Sequence, residues 1–94
     1  MGNRDPRYDL IKPMLSEGNI VSFTDIFKYI PKTIVANDLG KKVDRFTVMM
    51  NHVEKFTLEE VFRLAAMCRL TDEQMFALMH NEYAKKRELA QVSE

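Results

Sequence analysis

The 94-residue sequence predicts an all-α protein, a compact bundle of about five helices in one domain. Three observations predict it. Apolar side chains recur at helical spacing in successive stretches, as in Phe23, Ile26, Phe27 and Ile30. No useful length alternates with period two, and neither Asn-Gly nor Asp-Gly occurs to turn a hairpin. Finally, "TLEE" at 57–60 and "TDEQ" at 71–74 both have the form of a capping box, which marks where helices begin. A composition of 46% apolar and 30% charged residues is that of an ordinary globular chain. At this length roughly 60–68% of the unfolded surface can be buried, enough for a core.

Each element follows in order. "IKPMLSEGN" predicts a short helix opened by Pro13 and closed near Gly18. Ser22 with Asp25 caps the next helix, which carries the Phe23–Ile30 stripe until Pro31 ends it. Pro31 suits the first position of a following short helix, whose apolar face is Ile34, Val35 and Leu39 and whose stop is Gly40. A third helix carries Phe46, Met49, Met50 and Val53, with Val43 one turn earlier. Its opposite face shows Asp44, Arg45, Val48 and Asn51. Thr57 and Glu60 then open a helix with Leu58, Val61, Phe62 and Ala65 as its inner stripe. Thr71 and Gln74 open the last, with Met75, Phe76, Met79 and Tyr83 on one face. The organisation expected is an N-terminal extension with a short helix at 1–21, the bundle at 22–83 and a fraying tail at 84–94.

Several function classes lose support. No apolar run approaches the ~20 residues of a membrane span. "MGNRDPRYDL" lacks the apolar core of a signal peptide, and Pro6 stands where myristoylation needs Ser or Thr. With Cys68 the single cysteine, a reducing, cytoplasmic setting is expected. His52 and His80 have no metal-ligand spacing with Cys68, which reads as a buried inert thiol, and three glycines make no phosphate loop. Glu59–Glu60 belongs to a helix first turn. Neither an enzyme nor a cofactor is expected. Seven methionines read as a forgiving core, in preference to an adaptable surface for a partner or a second subunit.

Net charge is zero, but its distribution is uneven. Lys28, Lys32, Lys41, Lys42, Arg45 and Lys55 stand against Asp38, Asp44 and Glu54 over residues 28–55, whereas 56–94 hold five basic and seven acidic side chains. The basic excess surrounds "PKTIVANDLGKKVDRFTVMMN". There Ala36 supplies the small residue that lets two helices approach, Gly40 the left-handed turn, and Phe46 and Met49 the inner face of a second helix. That is the spacing of a helix-turn-helix, whose outer face is free for the major groove.

"VANDLGKKVDRFTVMMNHVEKFTLEEVFRLAAMCRLTDEQMFALM" resembles the phage repressor and Cro-like (lambda-repressor-like) helix-turn-helix family over about residues 22–80. The resemblance is carried by Val35-Ala36, Leu39-Gly40, Phe46, Met49, Thr57-Leu58-Glu59 and Leu64-Ala65. It departs from the family at Lys41 and Lys42, where an apolar residue and a Ser or Thr cap are usual, and at Lys32, where glutamine is frequent. The resemblance implies a sequence-specific DNA-binding protein, a small transcriptional regulator with residues 43–52 as recognition helix. It also implies that Lys32 and Thr33 hold a phosphate and that Lys41, Lys42, Asp44, Arg45, Val48 and Asn51 line the DNA. Arg45 suits guanine, Val48 a thymine methyl, and Asp44 cytosine N4. The partner expected is double-stranded DNA, with a homodimer joined through the last helix. The competing expectation is a protein-interaction or adaptor module on the same bundle, motivated by net neutrality, Asp38 and Asp44.

Overall fold

Asp5 opens the first turn of the chain in a computed structural model that describes residues 4–92 and the side chains of residues 4–88. Its carboxylate accepts from the Arg7 N–H at 2.9 Å and starts a 3-10 turn over Pro6–Leu10. That turn runs directly into helix α1, Ile11–Ser16. Pro13 is therefore not the opening residue. It stands third in α1, still within the first turn, where a missing N–H costs nothing. The segment expected as an extension contributes Tyr8, Ile11 and Ile20 to the common core.

The Phe23–Lys28 segment is a 3-10 helix rather than an α-helix. The Asp25 carboxylate accepts from the backbone N–H groups of Val21 and Ser22 at 2.9 and 3.1 Å, which tightens the entry. Pro31 leaves room for only six helical residues, a length at which 3-10 geometry is tolerated. Its three-residue turn stacks Phe23 over Ile26, and both are buried.

Helix α2 spans Lys32–Leu39, with Pro31 one position earlier than expected, as the extended N-cap (φ −61°, ψ 142°). Helix α3 spans Val43–Asn51, and a 3-10 turn at Val53–Lys55 leads to Thr57. Thr57 and Glu60 form the expected reciprocal capping box at 2.9 and 3.1 Å, opening α4 at Leu58–Met67. Thr71 and Gln74 repeat it at 2.9 and 3.1 Å before α5, Asp72–Val92. Helix α5 thus continues well past residue 84, where its apolar stripe stops.

The inner face of α4 is rotated from expectation. Val61, Leu64 and Ala65 are buried with Cys68, while Leu58 and Phe62 point outward. Two overlapping stripes at the same helical spacing exist here, and packing against α5 and α2 selects the one containing Leu64. On α5 the buried residues are Met75, Leu78 and Met79, and Phe76 and Tyr83 are exposed.

Phe23, Phe27, Phe46 and Phe56 join the parts through edge-to-face contacts at 5.3 to 5.9 Å. Met49, Met75 and Met79 lie in the core as expected. Helix α5 is also fastened to the segment around Thr24. The Glu82 carboxylate accepts from the Thr24 N–H and hydroxyl at 3.0 and 2.8 Å, and the Asn81 amide donates to the Val21 carbonyl at 2.8 Å. The architecture is an all-α bundle without strands among the described residues. No described helix is long and apolar enough to cross a membrane.

Candidate nucleic-acid interface

Helices α2 and α3 meet at a turn built by three neighbouring residues. Ala36 is fully buried one turn before the end of α2, and its small side chain suits a close approach of the two helices. Gly40 takes φ +82°, a left-handed conformation that a Cβ strains. The chain is then held by two bonds, from the Lys41 N–H to the Ala36 carbonyl at 2.9 Å and from the Gly40 N–H to the Asn37 carbonyl at 3.1 Å.

Phe46 and Met49 bury the inner face of α3, with Val43 and Met50 half-buried beside them. Asp44, Arg45, Val48 and Asn51 are exposed together on the outer face, as their spacing predicts. Lys42 is the N-cap residue of α3 and supplies no side-chain hydrogen bond, so the first backbone N–H groups of that helix lack a side-chain cap. Asp44 lies in the first turn without capping it.

Both ends of α3 are tied to the rest of the bundle. At the front, Lys41 forms an ion pair with Glu60 of α4. Burial alone would raise the Glu60 pKa, but the Lys41 ammonium and the Thr57 N–H outweigh it and hold the carboxyl below the usual range. At the back, the Lys86 ammonium of α5 donates to the Asn51 carbonyl at 3.4 Å and lies 2.6 Å from His52 Nδ1, with Glu54 at 3.7 Å. A cation there faces the negative end of the α3 dipole.

The expected DNA-facing residues divide accordingly. Lys42, Asp44 and Arg45 are exposed at the front of α3, and Val48 is exposed just past its middle. Asn51, at its rear, turns its amide back to the Thr47 carbonyl at 3.1 Å, leaving its side-chain oxygen outward. Lys41 is half-buried and committed to Glu60. Lys32 and Thr33 stand at the start of α2, about 10 Å along its axis from the Gly40 turn. Asp38 accepts from the Tyr8 hydroxyl at 2.7 Å and belongs to the contact with the N-terminal segment. Lys28 pairs with Asp25 at 3.3 Å. Among the described residues, Lys32, Lys42, Arg45, Lys55, Asp38 and Asp44 form no ion pair, which leaves four cations against two anions around this unit.

The partners Glu60 and Lys86 were not foreseeable as such. Glu60 signals only a capping box, and Lys86 only a cation late in a helix. Elsewhere, Cys68 is buried and its thiol is pushed up to about 12 by desolvation, as expected of an inert cysteine. No group of metal-ligating side chains occurs among the described residues. No protein-family model, curated protein or solved structure matches this chain.

Proposed function

We propose that the chain is a sequence-specific DNA-binding protein of helix-turn-helix type, a small transcriptional regulator that inserts α3 into the major groove. The observation that carries this reading is the division of α3. Its inner face is locked by Phe46 and Met49 and both its ends are tied, while Lys42, Arg45 and Val48 stand exposed and uncommitted on the outside. A major groove about 12 Å wide accepts one α-helix. Arg45 then suits the O6 and N7 of guanine, and Val48 suits a thymine methyl. The uncapped N–H groups at the front of α3, together with Lys42, suit a phosphate, as Lys32 and Thr33 do at the front of α2.

A second reading, an adaptor module without DNA binding, is favoured by the zero net charge and by the withdrawal of Lys41 into its pair with Glu60. Fluorescence anisotropy of a labelled duplex pool at ~50 and ~200 mM salt separates the two. Three to four phosphate contacts predict a loss of affinity on the order of 40- to 150-fold between those salts. The double variant Lys42→Ala/Arg45→Ala is expected to lose binding and the salt slope together. Absence of wild-type binding at low salt would overturn the DNA-binding reading.

A further inference from the structure

We infer that His52, Glu54 and Lys86 form a proton-sensitive latch between α3 and α5, in which protonation of the His52 ring drives the Lys86 ammonium off the end of α3. The inference does not depend on DNA binding. His52 is the C-cap residue of α3. Lys86 reaches it from α5, with Nζ 2.6 Å from His52 Nδ1 and 3.4 Å from the Asn51 carbonyl. An ammonium carries three N–H donors and no lone pair, so at that distance it can only donate. Nδ1 must therefore hold its lone pair, and the ring proton must sit on Nε2. The contact exists only while the imidazole is neutral. A proton on Nδ1 would set N–H against N–H and one positive charge against another, and the two groups must part.

Both groups have a place in the second state. The Glu54 carboxylate lies 3.7 Å from His52 Nδ1 and 3.7 Å from Lys86 Nζ. Its own backbone N–H first, and then Lys86 and His52, outweigh burial and hold the Glu54 carboxyl below the usual range. It is therefore an anion throughout the pH range in which an imidazole titrates. An imidazolium at position 52 meets that carboxylate and faces the negative end of the α3 dipole, the place Lys86 leaves. Lys86 borders a cleft of about 190 Å³ that Asn51 and Glu82 also line. Glu82 stands four residues before Lys86 on α5, the order in which glutamate and lysine pair best along a helix. One Glu82 oxygen accepts from Thr24, while the other faces Lys85 at 4.0 Å and has room for a second cation. The remaining charge on the turn after α3, Lys55, is exposed, forms no ion pair and belongs to neither state. Neutral, the ring fastens α5 to the rear of α3. Charged, it caps α3 from within and releases Lys86 to its own helix, so α3 keeps only its front tie from Lys41 to Glu60.

NMR of the full chain at low salt, titrated from about pH 8 to about pH 5, tests the inference across the imidazole range. The same spectra report whether each variant is folded. His80, the second histidine, is exposed on α5 and serves as the reference. In wild type the Lys86 ε-methylene protons are expected to show a nuclear Overhauser contact with the His52 ring at the upper end. That contact is expected to disappear along the titration curve of His52 itself. Lys86→Met removes the opposing charge and is expected to move the His52 midpoint upward by roughly 0.2–0.7 pH unit, the size of an exposed charge pair, while His80 stays in place. Glu54→Gln is expected to move it downward by a similar amount. Absence of the Lys86 contact at the upper end would overturn the inference. So would a contact that survives protonation of the ring, or a His52 midpoint indifferent to Lys86→Met.

Discussion

The junctions at Gly40 and at Arg69 are hydrogen-bonded alike and serve different ends. At Gly40 the next residue's N–H reaches the Ala36 carbonyl at 2.9 Å, and at Arg69 the Leu70 N–H reaches the Ala65 carbonyl at 2.9 Å. Both turning residues are left-handed, at φ +82° and +58°. Beyond the turn they diverge. Thr71 and Gln74 satisfy the front of α5 reciprocally, whereas Lys42 caps α3 with no side-chain bond. A joint whose following helix is capped by side chains of the chain itself is a structural joint. A joint that leaves donors at a helix front and cations beside them is available to an anion. The comparison also shows that a glycine is not obligatory at such a turn. Leu70 is buried just beyond Arg69, and that anchoring sustains a strained residue.

The largest test of the contrast is the support beneath α3. Phe46→Ala removes a fully buried ring from the four-phenylalanine chain and is expected to cost about 3–5 kcal/mol in chemical denaturation. Next come the two turning residues. Nothing lies within 4 Å of a Cβ built on Gly40, so Gly40→Ala should cost only backbone strain, about 1–2 kcal/mol. Arg69→Gly should act in the opposite direction by roughly 0.5 kcal/mol, since the exposed pair it gives up with Asp9 is worth little. Equal and same-signed changes from these two variants would show that the turns are not alike.

The smallest effect is in pH. Because Glu60 has its carboxyl held low in the folded state, its contribution is complete above the ordinary value of 4.5. It declines as pH falls through the folded-state value, because protonation then breaks the pair with Lys41. Denaturation curves between about pH 6 and about pH 3, the range in which carboxylates titrate, should lose that part of their slope in Glu60→Gln.

Much of the bundle was readable in the residues. Thr57 with Glu60, Thr71 with Gln74, and Gly40 state their local geometry through chemistry that acts over four residues or fewer. Phe46 and Met49 are legible because their face has no competing stripe. Leu58 and Phe62 are not, since α4 carries two overlapping stripes and only contacts with α2 and α5 choose between them. The Phe23–Lys28 segment reads as an α-helix from its apolar spacing, yet Pro31 and the Asp25 carboxylate tighten it to 3-10. Of the candidate site, the exposed quartet on α3 follows from periodicity, while the commitment of Lys41 to Glu60 spans nineteen residues of chain and leaves no local trace.

The ties that Lys41 and Lys86 make at opposite ends of α3 have a thermodynamic consequence. A helix pinned at both termini has surrendered its tilting and fraying freedom during folding, so little ordering entropy is left to lose when something docks on it. Association on that face should resemble the meeting of two rigid bodies, with a modest heat-capacity change confined to the area covered. A large negative heat-capacity change on docking would mean that more of the chain orders than α3 itself.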